Sequence, residues 1–151
     1  MHKGANAMIN DFIKVTSNLW RGGQPLVQAD MVQLAHIGIK KIIKLNSDQS
    51  SDEIAWCKSL GIQLDYIPLS GFWAPSDANM KVIQDSLFIS GISQIPTFVH
   101  CEHGEDRTGL VLGIVRVKIF GWTKEKAFQE MLANGFHPFL LGLLWYWWKK
   151  V

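Results

Sequence analysis

The sequence predicts an α/β fold: a single domain over residues 1–151, with a mainly parallel central sheet flanked by helices. Three observations lead there. Short β-type apolar runs alternate with longer helix-type runs along the chain, the pattern of strands joined by crossover helices. Glycines stand where helical runs should stop, at Gly38 and Gly61. With 151 residues, 48% of them apolar and 19% charged, the chain is expected to form one domain with a proper core.

The elements follow in order. Phe12 to Val15 and Asn18 to Arg21 read as a short leading hairpin. Pro25 to His36 reads as a helix. Lys40 to Leu45 is strand-like. Ser50 and Glu53 have capping-box spacing for a helix to Leu60. Ile62 to Leu69 is the next strand, and Ser76 can cap a helix running to about Ile92. Thr97 to His100 is a further strand. Thr108 to Phe120, Thr123 to Asn134 and Pro138 to Lys150 complete the chain as helices.

The most informative segment is Val99-His100-Cys101-Glu102-His103-Gly104-Glu105-Asp106-Arg107-Thr108-Gly109. A strand ends at a cysteine, a tight loop follows, and a helix opens at an arginine. Such a loop can aim backbone N–H groups and the positive end of a helix at one anion, and a cysteine beneath it would react as a thiolate. A free thiol has a pKa of about 8.5, which helix N-termini and nearby cations lower to roughly 3.5–7.5. Arg107 offers paired donors to two phosphate oxygens. Cys101 would attack phosphorus to form a phosphocysteine that water then hydrolyses. Gly104 allows the turn. Thr108 can donate its hydroxyl to the Cys101 sulfur, and His100 would fix the loop from behind. The phosphate would lie on residues 102–107: Glu102, His103, Gly104, Glu105, Asp106 and Arg107. Cys57, in a helical run beside Trp56, is expected to be packing.

These residues resemble the His-Cys-x5-Arg-Ser/Thr signature of the cysteine-based protein tyrosine phosphatase superfamily, and Thr108-Gly109 and the short length look most like its dual-specificity branch. Asn18-Leu19-Trp20-Arg21-Gly22-Gly23-Gln24-Pro25 is similar to the entry segment of small bacterial and fungal members, and Gly121-Trp122-Thr123-Lys124-Glu125-Lys126-Ala127 to their second helix after the loop. The resemblance implies a dual-specificity-phosphatase-like fold, phosphomonoester hydrolysis without metal or cofactor, and an approach of Arg21 and Gln24 to the site.

The resemblance also implies a carboxylic acid that protonates the leaving oxygen, from a loop some thirty residues before the cysteine. Here that stretch reads Ser70-Gly71-Phe72-Trp73-Ala74-Pro75-Ser76-Asp77, and the usual aspartate slot holds Phe72 or a neighbour. Asp77 is one candidate, with a helix first-turn role as its alternative. Asp106 is favoured: myotubularin-type phosphatases look similar here, with Cys-x4-Asp-Arg-Thr, and their aspartate is the acid. Asp65, on a strand, is a poorer choice. If Asp106 is the acid, Asp106→Asn lowers turnover of poor leaving groups more than of activated aryl phosphates.

Three of the five residues between Cys101 and Arg107 are acidic. An acidic rim suits a substrate with one phosphate and repels a highly phosphorylated ring. Phe72 and Trp73 are expected either to wall a pocket for a phenolic ring or to pack on the core. The expected substrate is a phosphotyrosine protein, and secondarily phosphoserine or phosphothreonine. The rival is a phosphoinositide or inositol phosphate, and a binder of phosphorylated partners without turnover is the reading from another class. Rhodanese-type sulfurtransferases also use a loop cysteine, but Thr108-Gly109 after Arg107 favours phosphate.

The formal charge of +2 implies no nucleic-acid partner. A reactive cysteine as one of only two implies a reducing, cytoplasmic setting, and Met1 to Asn10 carries no apolar signal core. Phe139 to Trp148 is too short to span a bilayer. With Lys149 and Lys150 it can close the core as a terminal helix, or touch a membrane surface.

Overall fold

The computed structural model describes residues 9–48, 51–87 and 95–151. Among them one sheet is formed by β1 (Ile13–Thr16), β2 (Leu19–Gly22), β3 (Lys41–Lys44), β4 (Gln63–Tyr66) and β5 (Thr97–His100), in the order β1-β2-β5-β3-β4. Only the β1–β2 hairpin is antiparallel; the other pairs are parallel. The helices are α1 (Gln28–His36), α2 (Ser51–Leu60), α3 (Asp77–Ser86), α4 (Arg107–Lys118), α5 (Lys124–Ala133) and α6 (Leu141–Lys150). This is the expected α/β sheet, with β5 at its centre.

Side chains alternate across a strand, and the register turns that rule into two cores. Trp20, Phe98 and Ile42 lie in one row of β2, β5 and β3 and pack with Met31 and Leu34 of α1 and Cys57 of α2. One residue along each strand, Val99 and Ile43 face the other way, onto α3 to α6. A parallel sheet covered on both faces needs apolar residues at consecutive positions, and the buried Ile42-Ile43 and Phe98-Val99 pairs supply them.

Helix ends differ from expectation for local reasons. α1 starts at Gln28 rather than Pro25 because the Asp30 carboxylate accepts from the N–H groups of Leu26 and Val27, at 2.9 and 3.3 Å, which holds residues 26–27 as a capping turn. α3 is capped as expected, Ser76 Oγ accepting from Asn79 N at 3.0 Å, and is described to Ser86; its expected end at Ile92 lies outside the described residues, as does the Ser50 cap. α6 begins at Leu141 rather than Pro138, after a turn in which Leu140 N donates to His137 O. Its Leu143, Tyr146 and Trp147 are buried, while Leu141, Trp145 and Trp148 stay exposed. The tail therefore closes the core. Trp147 seats on α4 at Gly113, where an added Cβ would come within 2.9 Å of the indole. Among the described residues no helix is long and apolar enough to cross a membrane.

Candidate active site

The loop after β5 lies at the carboxyl edge of the sheet, at its central strand. Its carbonyls are held from outside. His100 O accepts from Leu45 N at 2.8 Å and Glu102 O from Gln24 N at 3.0 Å. Cys101 O accepts from His100 Nδ1 at 3.1 Å, and Gly104 O from Arg21 Nη2 at 3.0 Å. A trans peptide is planar, so its N–H points opposite to the preceding C=O. Fixing these carbonyls outward turns the N–H groups of Glu102, His103 and Glu105 toward the inside of the loop, where Cys101 is only 2% exposed. Oriented N–H groups at a helix start make an anion cradle.

Gly104 sits at φ +78 with the Gly22-Gly23 backbone pressed against it. The entry segment thus braces the loop: Gly22 and Gly23 pack on it, Arg21 and Gln24 bond its carbonyls, and Asn46 donates to Gln24. This is the approach of Arg21 and Gln24 expected from the sequence; the packing of the two glycines was not.

Arg21 points to the α4 face and is buried. Burial pushes its guanidinium down from the usual value, against the opposing pull of Glu130, Cys101 and Asp11. On the opposite face, register places Lys44 beside His100, and Glu53 comes down on both from α2. Glu53 Oε1 lies 3.1 Å from Lys44 Nζ and Oε2 lies 2.7 Å from His100 Nε2. Burial alone would raise the Glu53 carboxyl, but the hydrogen bond and charge of His100, with Lys44, hold it below the usual carboxylate range. The His100 ring thus sits between the Cys101 carbonyl on one side and the Glu53 carboxylate on the other. His100 therefore stands behind the loop, as expected, anchored by two residues that the sequence did not single out for this purpose.

A testable consequence concerns stability. Glu53→Gln leaves the buried Lys44 ammonium without its carboxylate, so a loss of about 3–5 kcal/mol in urea unfolding is expected. In the native chain a carboxyl held below its unfolded value of about 4.3 stabilises fully above that pH, and the stabilisation is lost as pH falls through the lower folded value. Asp65, which burial would raise but Ser86, Gln63 and Lys41 hold down, acts in the same direction. The urea midpoint should therefore drop on acidification below the carboxylate range, and less so in Glu53→Gln.

Arg107 opens α4. Its Nη1 donates to Leu69 O at 3.2 Å, while its buried Nε and the buried Thr108 hydroxyl have no partner among the described residues. Both are free to serve a bound group and the sulfur below it. Cys57 shows the contrast: burial, then the charge of Glu53, push its thiol up to about 12, so it is packing.

The carboxyl groups considered as acids are engaged elsewhere. Asp106 accepts from His137 N at 2.7 Å, and His137 Nδ1 lies 3.0 and 3.1 Å from its two oxygens. It ties the loop to the α5–α6 connection, whereas an acid role would need its side chain turned into the pocket. Asp77, in the first turn of α3, meets Tyr146 Oη and Lys150 Nζ of α6, each at 3.2 Å. Asp65 bonds Lys41, Ser86 and Gln63. Glu105 lies against Gly135, so two of the three acidic loop side chains face the α5–α6 connection. The acidic rim expected at the mouth reduces to Glu102, paired with His103 at 3.7 Å. Phe72 and Trp73 are exposed and stacked edge to face, centroids 5.1 Å apart. They do not pack into the core.

The family model described as "Tyrosine phosphatase family" matches residues 7–134. The dual specificity protein phosphatase TpbA of Pseudomonas aeruginosa is 27% identical over 130 residues, covering 82% of this chain and 54% of the relative; the chain spans about half the length of that curated relative. The crystal structure of P. aeruginosa TpbA superposes with a TM-score of 0.78 at 21% identity, covering 94% of this chain and 86% of that one. The core catalytic domain of the PP-IP phosphatase SIW14 from S. cerevisiae does so with a TM-score of 0.76 at 23% identity, covering 92% and 85%.

Proposed function

This chain belongs to the tyrosine phosphatase family, and on that premise we propose that it hydrolyses phosphate monoesters through a phosphocysteine on Cys101, with phosphotyrosine in proteins as its main substrate. The observation that carries the reading is the loop whose carbonyls are held outward over a buried cysteine. In the first step the Cys101 thiolate attacks phosphorus, the S–P bond forms, and the P–O bond to the leaving group breaks. The inward N–H groups and Arg107 hold the phosphoryl oxygens as charge spreads over them. In the second step water attacks phosphorus, the S–P bond breaks, and inorganic phosphate leaves; the Thr108 hydroxyl steadies the departing sulfur. Asp106, His100 and Arg21 act by holding the loop.

Exposed Phe72 and Trp73, on the turn beside Arg107, support a phenolic substrate over a highly charged one. A second reading, an inositol phosphate or phosphoinositide substrate, is favoured by the likeness to a PP-IP phosphatase and by exposed Phe139, Leu141 and Trp145, which suit a lipid surface. The test is phosphate release from phosphotyrosine, phosphoserine and phosphothreonine peptides, phosphoinositides and soluble inositol phosphates. Phosphotyrosine peptides are expected to lead, and chelator is expected to leave release unchanged. Release from inositol phosphates with none from phosphotyrosine peptides would select the second reading.

A further inference from the structure

The turn from β4 to α3 passes Arg107 at Gly71. A Cβ added there would lie 3.6 Å from Arg107 Cζ, 3.7 Å from Nε and 3.8 Å from Nη2, ordinary contact distances. Gly71 is not among the positive-φ glycines, so backbone strain does not require a glycine. The turn is also fixed against the guanidinium. Leu69 O accepts from Arg107 Nη1, and Ser70 Oγ accepts from Phe72 N and Trp73 N at 3.0 and 2.9 Å. Position 71 is thus where a side chain would reach the group that Arg107 holds, and it has none.

Among the described residues no neighbouring carboxyl fills that place. Asp65, Asp77 and Asp106 are bonded to other elements, Glu105 lies on Gly135, Glu102 pairs with exposed His103, and Asp48 accepts from Gln24. We propose that Gly71 is a specificity-determining position: with no carboxyl proton donor opposite Arg107, the leaving oxygen departs unprotonated, so the site takes aryl phosphates and discriminates against alkyl phosphates. This rests on the phosphatase reading above and narrows it to phosphotyrosine over phosphoserine and phosphothreonine. As the S–P bond forms and the P–O bond breaks, the electron pair stays on the leaving oxygen, which later takes a proton from water. A phenolic oxygen carries that charge far better than an alkyl one. Positioned acids are worth about 10²–10⁴-fold, which sets the size of the discrimination.

The experiment measures kcat/KM for aryl phosphates of graded leaving-group acidity and one alkyl phosphate, in the wild type, Gly71→Asp and Gly71→Asn. In the wild type kcat/KM should fall steeply as the leaving group becomes less acidic, with the alkyl phosphate at least about a hundredfold below the best aryl substrate. Gly71→Asp should flatten the series and raise alkyl turnover about tenfold or more, with an activity that declines as rising pH deprotonates the new carboxyl. Gly71→Asn, equal in size without the proton, should leave the slope unchanged. A flat wild-type series, or Asp and Asn variants that behave alike, overturns the inference while leaving the phosphatase reading intact. If Cys101→Ser hydrolyses the series as fast as the wild type, the phosphatase reading itself falls.

Discussion

Cys101→Ser is expected to lower para-nitrophenyl phosphate turnover by at least about a thousandfold while leaving the fold and phosphate binding in place. The cysteine sits on the floor of the loop, 2% exposed, and a serine occupies nearly the same space. The groups that would hold phosphate are the inward N–H groups of the loop and Arg107, and none of them depends on sulfur. What is lost is the nucleophile, because a hydroxyl in this place has no general base. Near-wild-type turnover in the variant would remove the phosphocysteine from the account. Loss of both turnover and phosphate binding would mean that the cysteine shapes the loop.

Gly104→Ala should be damaging for a different reason. A left-handed backbone costs an L-residue about 1–2 kcal/mol, and Gly104 holds φ +78. A Cβ there would also come within 2.6 Å of Gly22 O and Gly23 N, which are backbone atoms that no rotamer change can move. Overpacking of this kind costs about 1–3 kcal/mol more. Relief requires parting the loop from the entry segment, which removes the Arg21 hold on the Gly104 carbonyl. A shift of about 1 Å in a positioning group can cost roughly a hundredfold in rate, so both a lower urea midpoint and a rate loss of that order are expected. Gly109→Ala is the control: its Cβ would meet Phe136 at 3.7 Å, an ordinary contact, and activity should persist.

The strand–loop–helix around Cys101 was legible because its signals are local. An apolar β-run, a glycine at a turn and an arginine at a helix start all lie within a dozen residues. The alternation of strands and helices was legible for the same reason, with errors confined to ends set by caps such as Asp30. What escaped needs tertiary register. Lys44 looked like an ordinary strand residue, Glu53 like a capping partner, and His100 like part of the signature. Only the pairing of β3 with β5, and the seat of α2 above them, brings the three together. Lys44, a charge at the end of an apolar run, was a hint in the sequence. The bond from His137 to Asp106 escaped because the two lie 31 residues apart and His137 sits in a connection with no signal of its own. Gly71 escaped because a missing side chain carries meaning only once its direction toward Arg107 is known.

Hydrolysis through Cys101 requires a covalent intermediate. Wild-type protein mixed with excess para-nitrophenyl phosphate, quenched in acid within the first turnovers and digested, can be read by mass spectrometry. A phosphate should be found on the peptide carrying Cys101, absent from the Cys57 peptide and absent in Cys101→Ser. Steady turnover by the wild type with no phosphate on Cys101 at any quench time, together with turnover surviving in Cys101→Ser, would contradict it.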